Sequence, residues 1–120
     1  MNNFIPVMAG GAIGAALRYG VGLAVPVRSG LPWGTLAVNI IGGFAMGVLA
    51  GYLLKGSASE AVRLFVGVGI LGGFTTFSAF SLESIRMIES GAWGQAATYA
   101  TVSVIGSIAA LAIGYGLIRT

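Results

Sequence analysis

The stretch Gly69-Ile70-Leu71-Gly72-Gly73-Phe74-Thr75-Thr76-Phe77-Ser78-Ala79-Phe80-Ser81 decides how this chain folds. It lies inside a hydrophobic segment from Arg63 to Ser90, whose uncharged part, Leu64 to Leu82, approaches the ~20 apolar residues that cross a bilayer as a helix. The centre of that segment is a poor helix. Gly67, Gly69, Gly72 and Gly73 weaken it, and Thr75 and Thr76 follow with β-branched side chains. The expectation is a helix that enters the membrane, breaks near 72–76 and resumes. A break at that depth frees backbone carbonyls and amides, which is tolerated only where they are buried in protein, face water or bind an ion. Unwound carbonyls are suited to a cation such as sodium. Beyond the break, Phe77 and Phe80 stand three apart and share a face. Spacing leaves two roles open for them: ordinary packing, or presenting the positive edges of their rings to a small anion.

The rest of the chain sets this segment in context. Of 120 residues, 57% are hydrophobic and 8% charged, whereas soluble domains carry about a quarter charged residues. A short soluble chain could not bury that much apolar surface, so the bilayer is the natural solvent. Residues 1–120 read as a single all-α membrane domain of four spans, at about 4–25, 34–54, 62–90 (with the break near 72–76) and 95–118. Breakers collect in the connections, Pro26 to Pro32, Lys55 to Glu60 and Ser90 to Gly94. The first span does not read as a signal peptide, because no basic stretch precedes it. Cys, His and Asp are absent, and Glu60, Glu83 and Glu89 are the only acids. That removes thiol chemistry, most zinc sites and His-based acid–base catalysis, and the chain does not read as an enzyme.

Orientation and assembly are less sharply specified. Lys55, Arg63 and Arg119 fall on one side of the membrane, Arg28 and Arg86 on the other, with Arg18 nearer that second side. Topology follows such loop charges, and here they nearly balance. Either one orientation is weakly determined, or copies insert both ways and pair antiparallel, as inverted repeats do in transporters. Small residues recur at four-residue spacing: Gly10 and Gly14; Gly43, Gly47 and Gly51; Gly69 and Gly73. Such stripes let helices approach closely in lipid. Each alone is equally a packing feature within one subunit, but together they suggest a tight bundle that is at least dimeric.

Polar groups inside the spans are costly without partners. Thr35 and Asn39 lie one turn apart, in line with the Gly43-Gly47-Gly51 stripe. Asn39 suits an interhelical hydrogen bond or a neutral donor on a polar path. Tyr99, Ser103 and Ser107 form a hydroxyl stripe on the last span. It either lines a pore or satisfies itself on carbonyls one turn back. Arg18 and Glu83 are the most deeply placed ionisable residues. Arg18 either snorkels to the interface or adds positive potential to an aqueous vestibule. The net charge of +3 mildly favours an anionic permeant.

Three stretches together resemble the Fluc (CrcB-type) fluoride channels over essentially the whole chain: Gly10-Gly11-Ala12-Ile13-Gly14-Ala15-Ala16-Leu17-Arg18-Tyr19, Gly34-Thr35-Leu36-Ala37-Val38-Asn39-Ile40-Ile41-Gly42, and the segment Gly69 to Ser81. Ala79 departs from the family, which often has Thr there. The resemblance implies an antiparallel, dual-topology homodimer of four-helix subunits with two fluoride pores, in the bacterial plasma (inner) membrane. It implies a central sodium ion held by the main-chain carbonyls of Gly72 and Thr75 from each subunit. It also implies that Phe77, Phe80 and Asn39 line the fluoride path, with Ser103, Ser107 and the preceding Tyr99 on the last helix. Arg18 and Glu83 match positions with a vestibular or helix-anchoring role. The implied activity is passive: fluoride enters as neutral hydrogen fluoride, is trapped as the anion in the less acidic cytoplasm, and leaves through the channel, which reduces its toxicity.

Two other classes share some of these features. A dual-topology, proton-coupled small multidrug transporter needs a carboxylate in its first helix, and Phe4 to Val25 has none. A non-transporting membrane scaffold subunit accounts for the glycine stripes, but leaves Phe77, Phe80, Asn39 and the hydroxyls without purpose.

Overall fold

The computed structural model describes residues 2–56 and 59–119. Met1, Ser57, Ala58 and Thr120, which belong to the tail, the second connection and the C-terminus, lie outside the described residues. The chain is helical throughout: α1 (Phe4–Ala24), α2 (Trp33–Leu54), α3 (Glu60–Val62), a π-helix (Arg63–Leu71), α4 (Gly72–Phe74), α5 (Phe77–Glu89) and α6 (Trp93–Arg119). Among the described residues, four helical spans are long and apolar enough to cross a membrane, the third comprising everything from Glu60 to Glu89. The protein is a multi-pass membrane protein. Its long dimension of 49 Å covers a hydrocarbon core of about 30 Å plus headgroups.

The connections are tight and follow their turn residues. Ser29 and Gly30 both take positive φ (55° and 77°) in a two-residue hairpin closed by paired bonds between Arg28 and Leu31 of 3.1 and 2.9 Å, the geometry of a type I′ turn. Gly91, at φ 84°, ends α5. Its amide bonds the Ile88 carbonyl at 3.0 Å and the Ala92 amide bonds that of Met87 at 2.8 Å, the two bonds of a Schellman motif.

The helices do not pair in sequence order. α1 packs on the π-helix and α4, while α2 packs along α6. Both contacts are made by glycine. A Cβ on Gly10 would collide with the Phe65 carbonyl, and one on Gly14 with that of Ile70. One on Gly73 would lie 2.6 Å from the Gly11 oxygen. Across the other pair, Gly43 sits on Ser107, Gly47 on Leu111, Gly51 on Ile118, and Gly114 on Phe44. In lipid there is no hydrophobic drive to bring helices together, so this close approach is what holds them. The stripes at Gly10 and Gly14, Gly43 to Gly51, and Gly69 and Gly73 are therefore engaged inside one subunit, and they supply no argument for assembly.

The row from Thr35 to Gly51 does not keep to one neighbour. Thr35 and Asn39 turn to the third span, whereas Gly43 and Gly47 turn to α6. Each four-residue step advances about 40° beyond a full turn at 3.6 residues per turn, so the row winds from one partner to the next.

Candidate functional site

The third span is interrupted at Thr75 and Thr76, both with extended backbone, between α4 and α5. Its first half is wound as a π-helix, a rare form found often at functional sites. The Gly72 amide ends it by bonding the carbonyls of Gly67 and Gly69. α5 then starts from Thr76, whose hydroxyl accepts from the Ala79 amide at 3.1 Å and so caps the new helix.

Three side chains hold the break. Arg18 of α1 donates from Nε to the Gly73 carbonyl at 3.1 Å. Asn39 of α2 grips Thr76 twice, its Nδ2 donating to the Thr76 carbonyl at 3.0 Å and its Oδ1 accepting from the Thr76 amide at 2.8 Å. Thr75 turns its own hydroxyl back onto the Leu71 carbonyl at 2.9 Å. Among the described residues, the carbonyls of Gly72, Phe74 and Thr75 accept no hydrogen bond. Nor do the described residues include a cluster of three His, Cys, Asp or Glu side chains. Free carbonyls of this kind are the hard oxygen donors that an alkali or alkaline-earth cation takes, so Gly72 and Thr75 fit a small hard cation.

Beside the break lies a cavity of about 380 Å³ between α2, the third span and α6. Asn39, Thr75, Thr76, Phe77, Phe80, Ser103 and Ser107 all line it, among apolar residues including Met46, and no charged side chain among the described residues does so. The Phe77 and Phe80 ring centroids are 5.5 Å apart, tilted by 45°. Phe77 forms the rim at 77% exposure. Phe80 is half-buried. Ser103 is 6% exposed, and its hydroxyl is the one buried side-chain polar atom among the described residues without a partner. A buried hydroxyl without a partner calls for an explanation, and Ser103 borders the cavity.

Tyr99 and Glu83 stand behind this wall. Tyr99, 2% exposed, packs its ring 5.2 Å from that of Phe80. Its hydroxyl donates to Glu83 Oε1 at 2.8 Å, and Thr35 donates to Oε2 at 2.9 Å. One carboxylate thus ties α2, α5 and α6 together and holds the ring that backs Phe80. Spacing had marked Thr35 only as a companion of Asn39. Its bond to Glu83 depends on which helices become neighbours, and local sequence carries no signal for that.

A family model described as "CrcB-like protein, Camphor Resistance (CrcB)" matches residues 5–115. The chain belongs to the CrcB-like family. Among its CrcB-like relatives, a protein of Sphingopyxis alaskensis named Fluoride-specific ion channel FluC is 52% identical over 122 residues, covering 99% of this chain and 97% of its own. A protein of the same name from Hyphomonas neptunium is 56% identical over 124 residues, covering 99% and 97%. A third, from Mesorhizobium japonicum, is 48% identical over 122 residues, covering 100% and 98%. In this CrcB-like chain the break, the clamp on it and the aromatic cavity all fall within the matched residues.

Proposed function

We propose that this protein is a fluoride-specific ion channel that lets cytoplasmic fluoride leave the cell passively, and that it is not an enzyme. The observation that carries the reading is the cavity wall: two phenylalanine rings and neutral donors, with no charge, in a chain matched end to end by relatives named for fluoride conduction. A dehydrated fluoride needs compensation at every step, yet a full positive charge would hold it too tightly to leave. Ring edges, the Asn39 amide and the Ser103 and Ser107 hydroxyls supply partial charges that replace water one contact at a time. α5 begins at this wall, so the positive end of its dipole adds to the effect. A membrane potential negative inside drives the anion outward, by about 2.3 kcal/mol per 100 mV.

The working form in this reading is an antiparallel, dual-topology homodimer with two pores in the bacterial inner membrane. Support comes from the break: Gly72 is exposed on the subunit surface and its carbonyl accepts no hydrogen bond among the described residues, so in a lone subunit it would meet hydrocarbon, an arrangement the bilayer penalises. Gly72 and Thr75 of each subunit would together hold a central sodium ion through their carbonyls. What such an ion supplies when bound is electrostatic: it satisfies carbonyl dipoles that the break leaves free. Arg18 and Glu83 act in this reading as helix anchors, and Tyr99 acts by fixing Phe80.

The decisive experiment is anion efflux from liposomes containing only this protein. Fluoride is expected to leave quickly and chloride to stay; comparable chloride efflux would remove the selectivity assigned to the wall. Dual topology is checked with a C-terminal reporter, expected on both sides of the membrane, whereas one-sided labelling argues for a single orientation. Ser103→Ala separates pore from packing. Its hydroxyl makes no internal bond, so thermal stability should hold or rise. Fluoride flux should fall about tenfold, the factor for one lost hydrogen bond near 1.4 kcal/mol.

A further inference from the structure

We infer that Arg18 is a positioning residue for the helix break: by holding the Gly73 carbonyl it sets the direction of the neighbouring Gly72 and Thr75 carbonyls, and so how tightly the break holds a cation. This rests on the reading of those carbonyls as the sodium ligands.

Where the span stops at Phe74 and restarts at Phe77, the Gly73 carbonyl loses the helical amide it would otherwise meet. Arg18 supplies the missing donor from a different helix, at 3.1 Å. The Cα of Gly73 is seated just as firmly, since a side chain there would strike the Gly11 oxygen and the Ala15 amide of α1. On the far flank Asn39 fixes both polar groups of Thr76. Peptide planes are rigid, and only φ and ψ turn between them. Pinning the planes at Gly73 and at Thr76 therefore leaves little freedom to the carbonyls of Gly72, Phe74 and Thr75, which accept no bond among the described residues. Asn39 also lines the 380 Å³ cavity, whereas Arg18 lines a separate one of about 300 Å³ with Thr35, Thr76 and Ala79. Positioning through Arg18 can thus be tested without altering the wall that carries Phe77 and Phe80.

Charge and hydrogen bond are separable at this position. The donor is Nε, four bonds from Cα, where glutamine carries its amide nitrogen. Arg18→Gln keeps a donor and removes the charge; Arg18→Leu removes both. The two explanations of Arg18 have opposite signs towards a cation. If Arg18 mattered only as a positive charge, either change would relieve repulsion and lower the sodium concentration needed.

The test is thermal unfolding of the purified full-length protein, with sodium titrated against N-methylglucamine at constant ionic strength and no fluoride present. The Tm of the wild type should rise with sodium. The sodium midpoint should move about tenfold higher in Arg18→Leu, the factor for one net hydrogen bond, and stay at or below the wild-type value in Arg18→Gln. A midpoint lowered equally in both variants, or unchanged in Arg18→Leu, overturns the inference while leaving the sodium site standing. A wild-type Tm indifferent to sodium overturns both. Should Arg18→Leu not fold, Arg18→Gln decides alone: an unchanged midpoint supports the inference, whereas a lowered midpoint, the outcome of charge alone, or a tenfold rise despite the retained donor overturns it.

Discussion

Phe80→Ile is expected to abolish measurable fluoride efflux while leaving a folded protein. Isoleucine keeps an apolar side chain against Met87, Ala96 and Tyr99, the cluster on which Phe80 packs, so the loss in stability should be limited to the aromatic contacts with Tyr99 and Phe77, about 0.5–1.5 kcal/mol each. What isoleucine cannot replace is the quadrupole. A polar partner lost to a desolvated charge costs about 2 kcal/mol, as for a hydrogen bond to a charged group, and adding that to a barrier slows passage by about thirtyfold. Phe77 cannot compensate, because at 77% exposure it stands at the rim. The measurement is fluoride efflux from liposomes alongside a melting curve of the same preparation. Undiminished efflux from a folded variant removes Phe80 from the permeation path.

Asn39→Ala should cost both stability and flux. Its amide satisfies the Thr76 carbonyl and the Thr76 amide at once, and each backbone group left unpaired inside the protein costs about 1–3 kcal/mol. The Tm should drop clearly and the variant should conduct poorly. Asn39→Asp separates the two effects. It retains the acceptor for the Thr76 amide, but loses the donor and puts a carboxylate on a wall otherwise free of charge. It should fold better than the alanine variant and still pass little fluoride, since a like charge repels the anion at short range. A wild-type Tm for Asn39→Ala would show that the clamp does not hold the break.

The four spans were legible because hydropathy is a local property: charge-free runs such as Gly34 to Leu54 need no knowledge of their neighbours. The weak centre of the third span was legible for the same reason, since Gly72, Gly73, Thr75 and Thr76 disfavour helix one residue at a time. Partner choice was not. In lipid every helix face is apolar, and the glycine stripes say that something comes close without saying what. Gly43 and Gly47 therefore looked available for assembly, whereas α6 covers them. The same ignorance hid the Thr35–Glu83–Tyr99 cluster, whose three members come from three helices, and the use of Arg18 on a backbone carbonyl. Spacing placed Tyr99 in line with Ser103 and Ser107. Only packing shows that it stands behind Phe80 and off the cavity wall.

The interleaved pairing of α1 with the third span and α2 with α6 also shapes how the protein is made. Ribosomes deliver chain at about 5–20 residues per second, so α1 and α2 reach the membrane well before their partners exist. They meet each other only near Gly22 and Gly34, whereas Gly10 and Gly14 of α1 and Gly43, Gly47 and Gly51 of α2 face helices not yet synthesised. Newly inserted chains therefore pass a short interval with Arg18 and Asn39 unbonded, which ends when Gly73 and Thr76 of the third span arrive, and the α2 glycines stay uncovered until α6 emerges. Truncation before Gly73 leaves Arg18 and Asn39 without the backbone groups of Gly73 and Thr76 that they bond, and polar groups stranded in the bilayer are costly.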